Sequence, residues 1–190
     1  MIDEIKKYWD NRYKYGGNSG QGSYGSEAEI KVDAISKLAG TGIRSILDIG
    51  CGDFNIGKQI VSALEEPLYL GVDVSGEIVD RNRKEYGNQF IKFLEANEKY
   101  MSLGIEADLV LCIDVLFHQT DDEEYEKLTT FLKKSFKRFL VLSNIEGYGE
   151  TQTANHVKIR PIVPEDFGEM IAKIDISNNG AEKYLYIIKK

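Results

Sequence analysis

The chain has 190 residues, of which 42% are hydrophobic, and its formal net charge is −7. This length predicts one domain, residues 1–190, with enough chain to bury a full core. The acidic balance argues against nucleic-acid binding, which needs a concentrated basic surface, and no apolar stretch approaches the roughly 20 residues of a membrane span. Because the N-terminus lacks the apolar core of a signal peptide, we expect a cytoplasmic protein.

The first predicted element is an amphipathic helix over residues 2–14. Apolar residues recur there at three- and four-residue steps, and two aromatic residues stand at the end of the series: Ile2, Ile5, Trp9 and Tyr13. Ser26 and Glu29 predict the capping box of a second helix, which ends at Gly40. The expected buried face of the second helix consists of Ile30, Ala34, Ile35 and Leu38.

Between these two helices lies a glycine-rich loop. Residues 16–25 contain five glycines and two serines, a composition that by itself favours a flexible linker. The loop also carries the large side chains of Tyr15 and Tyr24, and a short connection between two helices has no domains to link. We therefore predict a lid, within the N-terminal residues 1–42, that closes over a bound ligand and excludes water.

From residue 43 onwards, strand and helix patterns alternate, which predicts a parallel sheet with helices on both faces. Five strands are predicted, at 43–50, 68–74, 89–95, 107–113 and 138–144. Asn55 is expected to cap the helix after the first strand, and Asp121, with Glu124, the helix after the fourth. Cys51 and Cys112 lie on or beside strands, so we expect reduced packing residues rather than a disulfide, and two cysteines offer no zinc cluster.

The C-terminal region departs from this alternation. Pro164 predicts the start of a short helix that ends near Ile171. Two strands follow, at 172–177 and 182–189, and the Asn-Asn-Gly sequence at 178–180 between them is a strong hairpin signal.

Two features of the region that begins at residue 43 predict a cofactor site. The sequence Asp48-Ile-Gly-Cys-Gly52 follows the first strand, and glycines there allow a ligand to approach the backbone before a helix begins. The second strand ends in Asp73, roughly 20 residues beyond the glycines, where an acid suits hydrogen bonds to ribose hydroxyls.

These residues resemble the class I S-adenosylmethionine-dependent methyltransferases over about residues 43–190. The resemblance implies an α/β fold whose Rossmann-like sheet has five parallel strands and a C-terminal antiparallel hairpin. It implies S-adenosylmethionine as the cofactor and no metal. The cofactor-binding residues that it implies are Asp48, Gly50, Cys51, Gly52, Asp73, Val74, Asn97, Ile113 and Asp114, with Glu95 as the rival of Asn97 for the adenine contact.

Two other functions stay open. A NAD(P)-dependent reductase is the poorer fit, because Phe54 stands where a third glycine often continues the pattern and a pyrophosphate needs close backbone approach. The non-enzymatic alternative is a methyltransferase-fold subunit that binds the cofactor, or no ligand, and serves a partner protein.

The acceptor is expected to be a small molecule. The N-terminal sequence Tyr8-Trp-x-x-Arg-Tyr13 and the glycine-rich loop are similar to small methyltransferases of surface glycans and secondary metabolites. This resemblance favours O-methylation of a sugar or a phosphorylated metabolite. His118 and His156 are the candidate bases, since an unperturbed imidazole has a pKa near ~6.5. The candidate acceptor-binding residues, several of them in the long segment 146–163, are Tyr24, Tyr148, Lys158 and Arg160.

Overall fold

The protein is represented by a computed structural model, which describes residues 2–97, 100–147, 149–177 and 180–190. The described strands are β1 (Ser45–Ile49), β2 (Leu68–Asp73), β3 (Ile91–Glu95), β4 (Ala107–Cys112), β5 (Phe136–Ile145), β6 (Thr151–Ala154), β7 (Val157–Ile159), β8 (Glu169–Asp175) and β9 (Lys183–Lys189). The described helices are α1 (Ile2–Lys14), α2 (Gly25–Ser36), α3 (Asn55–Ala63), α4 (Gly76–Glu85) and α5 (Asp122–Ser135).

Seven of the strands form one sheet in the order β3-β2-β1-β4-β5-β9-β8. Strands β1 to β5 are parallel to one another, whereas β9 runs antiparallel to both β5 and β8. The predicted five parallel strands and C-terminal antiparallel hairpin are therefore confirmed. β4 lies in the middle of the sheet and is nearly all apolar, as a strand covered on both faces must be.

The core lies on both faces of this sheet. On one face, apolar residues of α2, α3 and α4 pack against Ile46, Leu109 and Val141. On the other face, Leu128, Phe131 and Leu132 of α5 form the packing layer. Both cysteines are free and buried in these layers. The longest described helix, α5, has 14 residues, and no described helix is long and apolar enough to cross a membrane.

Three local predictions about helix caps have different outcomes. Phe54, in left-handed backbone conformation, stands at the N-cap of α3, and the Asn55 side chain donates instead to the carbonyl of Ser23. The N-cap of α2 is Tyr24, without a side-chain cap, so the predicted capping box is wrong. At Asp121, by contrast, the predicted cap is present, because the carboxylate accepts from the N–H of Glu124.

The C-terminal half also differs from the prediction. A single 3-10 turn, Pro164–Asp166, replaces the predicted helix, and β8 already begins at Glu169. The segment 146–163 contains β6 and β7, which pair as an antiparallel arm. The turn predicted at 178–180 lies mostly outside the described residues.

The buried face of α2 is partly ionic. Ile30, expected in the core, is 40% exposed, whereas Glu27 and Lys31 are buried. The Lys31 ammonium lies 2.7 Å from both Glu27 Oε1 and Asp114 Oδ2, and Lys183 Nζ lies 2.8 Å from Asp114 Oδ1. Two cations and two carboxylates thus neutralise one another, which offsets the cost of removing each charge from water.

This ionic cluster (Glu27, Lys31, Asp114 and Lys183) also holds the glycine-rich loop. Lys31 Nζ donates to the carbonyl of Gly22 at 2.7 Å, and the Asp114 carboxylate leaves no room for a Cβ at Gly22. We call residues 15–24 the strap, because they connect α1 with α2 and are tied down by this contact.

Removal of the Lys31 charge tests the cluster. Lys31→Met leaves two buried carboxylates with one cation, so the free energy of unfolding should fall by about 3–5 kcal/mol in urea denaturation. Lys37→Met near the end of the same helix is the matched control, because its pair with Asp33 is 71% and 69% exposed. The control should lose at most about 1 kcal/mol. Equal losses in the two variants would contradict a stabilising role for the cluster.

Candidate active site

A cavity of about 1030 Å³ lies at the carboxyl ends of β1, β2 and β4. The crevice outside the strand ends is the usual ligand site of an open parallel sheet. Of the predicted cofactor residues, seven line this cavity: Gly50, Gly52, Asp73, Val74, Asn97, Ile113 and Asp114.

The floor of the cavity includes the turn between β1 and α3, residues 50–54. Its N–H groups all have acceptors within the protein. Gly50 and Cys51 donate to the carbonyl of Val72, Gly52 to Asp73, Asp53 to Ser19 Oγ and Phe54 to the carbonyl of Cys51. A phosphate-binding loop instead points several backbone N–H groups at its ligand. The turn is therefore built to present neutral backbone rather than to bind an anion.

Phe54 occupies the position where a third glycine often stands in such turns. Its φ of 63° lies in the left-handed region, which costs a residue with a Cβ some free energy. The Phe54 ring packs against Tyr69, Tyr86 and Phe93 at centroid distances of 4.8 to 5.3 Å. Burial in this aromatic cluster offsets the backbone strain and closes the space beneath the turn.

Asp73 stands at the end of β2 and faces the cavity. Its two carboxylate oxygens accept from the N–H groups of Gly52 and Ser75, each at 2.9 Å. Burial raises the pKa of this carboxyl to about 6, although both hydrogen bonds act in the opposite direction. Since each carboxylate oxygen has a second lone pair, Asp73 retains acceptor capacity toward a ligand.

Two of the predicted cofactor residues lie inside the protein instead. Asp48 is buried and accepts a hydrogen bond of 2.6 Å from the Tyr69 hydroxyl. Burial raises the pKa of the Asp48 carboxyl to about 7. Cys51 packs in the hydrophobic core near the main chain of Gly71. Asp48 points away from the cavity because alternate residues of a strand point to opposite faces of the sheet. Asp48 and Cys51 therefore pack beneath the turn 50–54 and do not line the cavity.

The N-terminal helix forms a wall that the sequence prediction did not foresee. Ile5, Trp9 and Tyr13 of α1 line the cavity, and Ser19 and Ser23 of the strap line it as well. The spacing of the α1 residues on one helix face was visible in the sequence, but an apolar face alone does not distinguish a ligand wall from core.

Two polar side chains dock α1 beside Asp73. Lys6 Nζ lies 2.8 Å from Glu95 Oε1 and donates to the carbonyl of Val74. Asp10 accepts from the Ser75 hydroxyl at 2.6 Å. Glu95, the rival of Asn97, is thus paired with Lys6, whereas Asn97 lies on the cavity wall.

The carboxylate of Asp114 is committed to the protein. Its φ of 59° is held by Ser143, whose hydroxyl accepts from the Asp114 N–H and donates to Oδ1. Burial opposes ionisation, but Lys31 and Lys183 outweigh it and hold the pKa of Asp114 well below its usual range. Because the two lysines neutralise the Asp114 carboxylate, this residue adds little net charge to the cavity wall.

His118 lines the same cavity, in the 3-10 turn Leu116–His118 that follows β4. Its Nδ1 lies 2.8 Å from the carbonyl oxygen of His156. A carbonyl only accepts, so Nδ1 carries the hydrogen and Nε2 of the neutral ring bears a lone pair. Burial lowers the pKa of His118 below its usual value, which favours this neutral form.

His156 acts on His118 through its main chain and its ring. It stands at the turn of the β6–β7 arm, and its ring stacks on Tyr8 at 4.3 Å and on His118 at 5.7 Å. Trp9 meets His118 edge-on at 5.3 Å. The structure thus brings the two predicted histidines together, with His118 on the cavity wall and His156 behind it.

The predicted acceptor-binding cations are engaged elsewhere. Arg160 is buried, and it donates to Asp122 and to the carbonyls of Gln119 and Thr120. Lys158 pairs with Asp122 at 2.6 Å and with Glu150. These contacts fasten the β6–β7 arm to the start of α5, so the prediction that both cations grip an acceptor lacks structural support.

Of the two tyrosines predicted to bind the acceptor, the structure describes Tyr24. Tyr24 is 39% exposed, and its hydroxyl donates to Asp53 at 2.7 Å, which ties the strap to the turn. Tyr148 lies outside the described residues.

Residues 46–138 match the family model of methyltransferase domains. No curated protein matches the chain significantly. Among solved structures, magnesium protoporphyrin IX methyltransferase from Synechocystis PCC 6803, with bound S-adenosylhomocysteine, aligns at 19% identity over 100% of both chains, with a TM-score of 0.70.

Two further structures are similar. The 4+2 cyclase SpnF aligns at 13% identity over 100% of this chain and 97% of its own, with a TM-score of 0.73. An O-methyltransferase family protein from Burkholderia thailandensis aligns at 19% identity over 86% of this chain, with a TM-score of 0.65. The alignment spans 56% of the length of that protein. At such identities these similarities establish the fold alone.

The match to methyltransferase domains covers residues 46–138. The same fold contains the glycine turn, the acid at the end of β2 and the terminal antiparallel hairpin. Residues 46–138 therefore form a methyltransferase domain, and the chain has the fold of the class I S-adenosylmethionine-dependent methyltransferases.

Proposed function

We propose that the protein transfers the methyl group of S-adenosylmethionine to a hydroxyl group of a small acceptor, with His118 as the general base. When bound, S-adenosylmethionine supplies an electrophilic methyl group on a sulfonium sulfur. The observation that carries the proposal is one cavity whose wall contains the glycine turn, Asp73 and a histidine of fixed tautomer.

The residues present fit this cofactor. The cavity wall combines apolar residues, including Ile49, Val72 and Ile113, with the Asp73 carboxylate. Apolar walls suit an adenine ring and a thioether chain, and a carboxylate suits a ribose diol. The N–H groups of the turn 50–54 are all hydrogen-bonded within the protein. This arrangement argues against the pyrophosphate of a NAD(P)-dependent reductase.

The position of His118 in the cavity wall and the orientation of its ring support this residue as the base. Its Nε2 lone pair takes the proton that an acceptor hydroxyl loses as the new carbon–oxygen bond forms. The His156 carbonyl keeps the ring in one orientation, and the lowered pKa keeps it unprotonated near pH 7. Trp9 and Tyr13 help to exclude water from the same cavity.

For the acceptor, a sugar hydroxyl is the class that we carry forward from the N-terminal resemblance. Lys158 and Arg160, the two predicted acceptor-binding residues with a positive charge, are paired with Asp122. This pairing argues against a phosphorylated metabolite as the acceptor. A hydroxyl on an apolar or aromatic molecule is compatible with the aromatic wall of Trp9 and Tyr13.

The binding half of the proposal is tested through Asp73. An ionised carboxylate accepts from both ribose hydroxyls, and its pKa is raised to about 6. The affinity for S-adenosylhomocysteine should therefore decrease by up to about tenfold per pH unit as the pH falls below 6, and stay constant above pH 7. Calorimetry between pH 5 and 8 measures this. Asp73→Asn should bind more weakly and lose this pH dependence, and a wild-type affinity that is constant over the range would remove Asp73 from the site.

The catalytic half is tested through His118. His118→Gln should lower turnover by roughly 10²–10⁴, and the affinity for S-adenosylhomocysteine should change less than about twofold. His156→Ala is the matched control, because it keeps the main-chain carbonyl that orients His118, and its turnover should fall less than about tenfold. Transfer of labelled methyl groups to free sugars, nucleotide-activated sugars and phenols is the assay. Turnover that depends on His156 more than on His118 would reverse the assignment.

The pH profile gives an independent check. Burial lowers the pKa of His118 below its ordinary ~6.5, and the base must be unprotonated to act. At saturating cofactor, turnover should rise with pH through a pKa below 6.5 and level off by pH 7. A profile that still rises between pH 7 and 8 would contradict His118 as the base.

A further inference from the structure

We propose that Asn82 of α4 is a positioning residue for the turn 50–54. It fixes the peptide plane between Gly52 and Asp53, which holds the strap, and with it Gly52, whose own N–H binds Asp73. Asn82 does not line the cavity and belongs to none of the sequence motifs that predict the cofactor site. The inference depends on the proposed function in one respect: the ligand whose binding Asn82 affects is S-adenosylmethionine.

The Asn82 side chain has one short contact with the turn. It is fully buried, and its Nδ2 donates to the carbonyl of Gly52 at 2.7 Å. That carbonyl belongs to the same planar peptide as the N–H of Asp53. The direction of one group therefore sets the direction of the other.

The Asp53 N–H holds the strap. It donates to Ser19 Oγ at 2.8 Å, while the N–H of Ser19 donates back to Asp53 Oδ2 at 2.9 Å. Ser19 Oγ also lies 3.1 Å from the Tyr13 hydroxyl. Rotation of the peptide plane would break the first of these bonds and move Ser19 away from the cavity wall.

The adjoining peptide reaches Asp73. The N–H of Gly52 donates to Asp73 Oδ2, and Gly52 has a φ of 52°, with Ser19 Oγ directly over its Cα. Asn82 thus holds a residue that contacts two walls of the cavity, the strap on one side and the acid at the end of β2 on the other.

The oxygen atom of the Asn82 amide supports a positioning role for this residue rather than a stabilising one. Asn82 Oδ1 is buried and has no hydrogen-bond partner among the described residues. A buried acceptor without a donor lowers stability, and an apolar side chain of similar volume would avoid that cost. Asn82 supplies a hydrogen-bond donor to the Gly52 carbonyl, which an apolar side chain lacks.

The test compares two buried asparagines that each donate to a main-chain carbonyl. Asn82→Leu removes the donor beneath the turn, and Asn144→Leu is the matched control, since Asn144 is buried and donates to the carbonyl of Arg160 at 2.8 Å. Asn82→Leu should weaken S-adenosylhomocysteine binding by about ten- to a hundredfold in calorimetry, and Asn144→Leu by less than about threefold. If Asn82→Leu does not fold, Asn82→Ala takes its place.

Amide hydrogen exchange of the ligand-free protein is the second readout. In the Asn82 variant, the N–H groups of Asp53 and Ser19 should exchange at least about tenfold faster, while those of β4 keep the wild-type rate. Unchanged exchange at Asp53 and Ser19 would overturn the inference, as would equal losses of affinity in the Asn82 and Asn144 variants. If the wild type does not bind S-adenosylhomocysteine but the exchange changes as expected, the proposed function fails and the positioning role of Asn82 stands.

A double-mutant cycle with Ser19→Ala tests the route through the strap. In the wild-type background the Ser19 change should weaken binding, and in the Asn82→Leu background it should have little additional effect, because the bond that it removes is already lost. Additive effects would contradict a connection between Asn82 and the strap.

Discussion

The hydrogen bonds of the turn 50–54 are the constraint on which the cavity depends. Its backbone N–H groups have fixed directions, toward β2, toward Asp73, toward the strap or back into the turn. Because buried N–H groups must be paired, none of these directions can change without loss of stability. The glycines are required here by close contacts within the protein: at Gly50 a Cβ would collide with Val115, and at Gly52 with Ser19. The same contacts leave the turn with neutral backbone at the cavity, which suits an adenosine-type cofactor better than a pyrophosphate.

The pKa values of the two acids beside the cavity, Asp73 and Asp114, are shifted in opposite directions. Near Asp73, burial and neighbouring carboxylates make ionisation costly, so the pKa is raised. Near Asp114, two lysines make ionisation favourable, so the pKa is lowered. The first acid keeps a capacity for ligand hydrogen bonds, and the second is a structural anchor for the strap. One side of the cavity is therefore sensitive to pH near neutrality and the other is not.

The part of the cavity near His118 is organised by aromatic contacts rather than by cations. Tyr8 and Trp9 of α1, His118 after β4 and His156 of the β6–β7 arm pack ring against ring. These three elements are distant in the chain, so the orientation of His118 depends on their joint packing. Arg160 supports the arrangement from the other end, because it fastens the arm to α5 through Asp122. Lys158 and Arg160, which were predicted to bind the acceptor, thus join the arm to α5 through Asp122.

Local patterns of apolar residues and glycines were enough to predict the sheet, the position of the glycine turn and the acid at the end of β2. The sequence also predicted His118 beside the cavity, because the carboxyl ends of parallel strands meet at one edge. Which charged groups are buried together depends on contacts between distant parts of the chain, so the sequence did not predict it. Lys31 and Asp114 are 83 residues apart, and no local pattern indicates that Lys31 rather than Ile30 faces the core. The contact of Asn82 with the turn was equally invisible in the sequence, because it is one hydrogen bond to a carbonyl that lies 30 residues away in the chain.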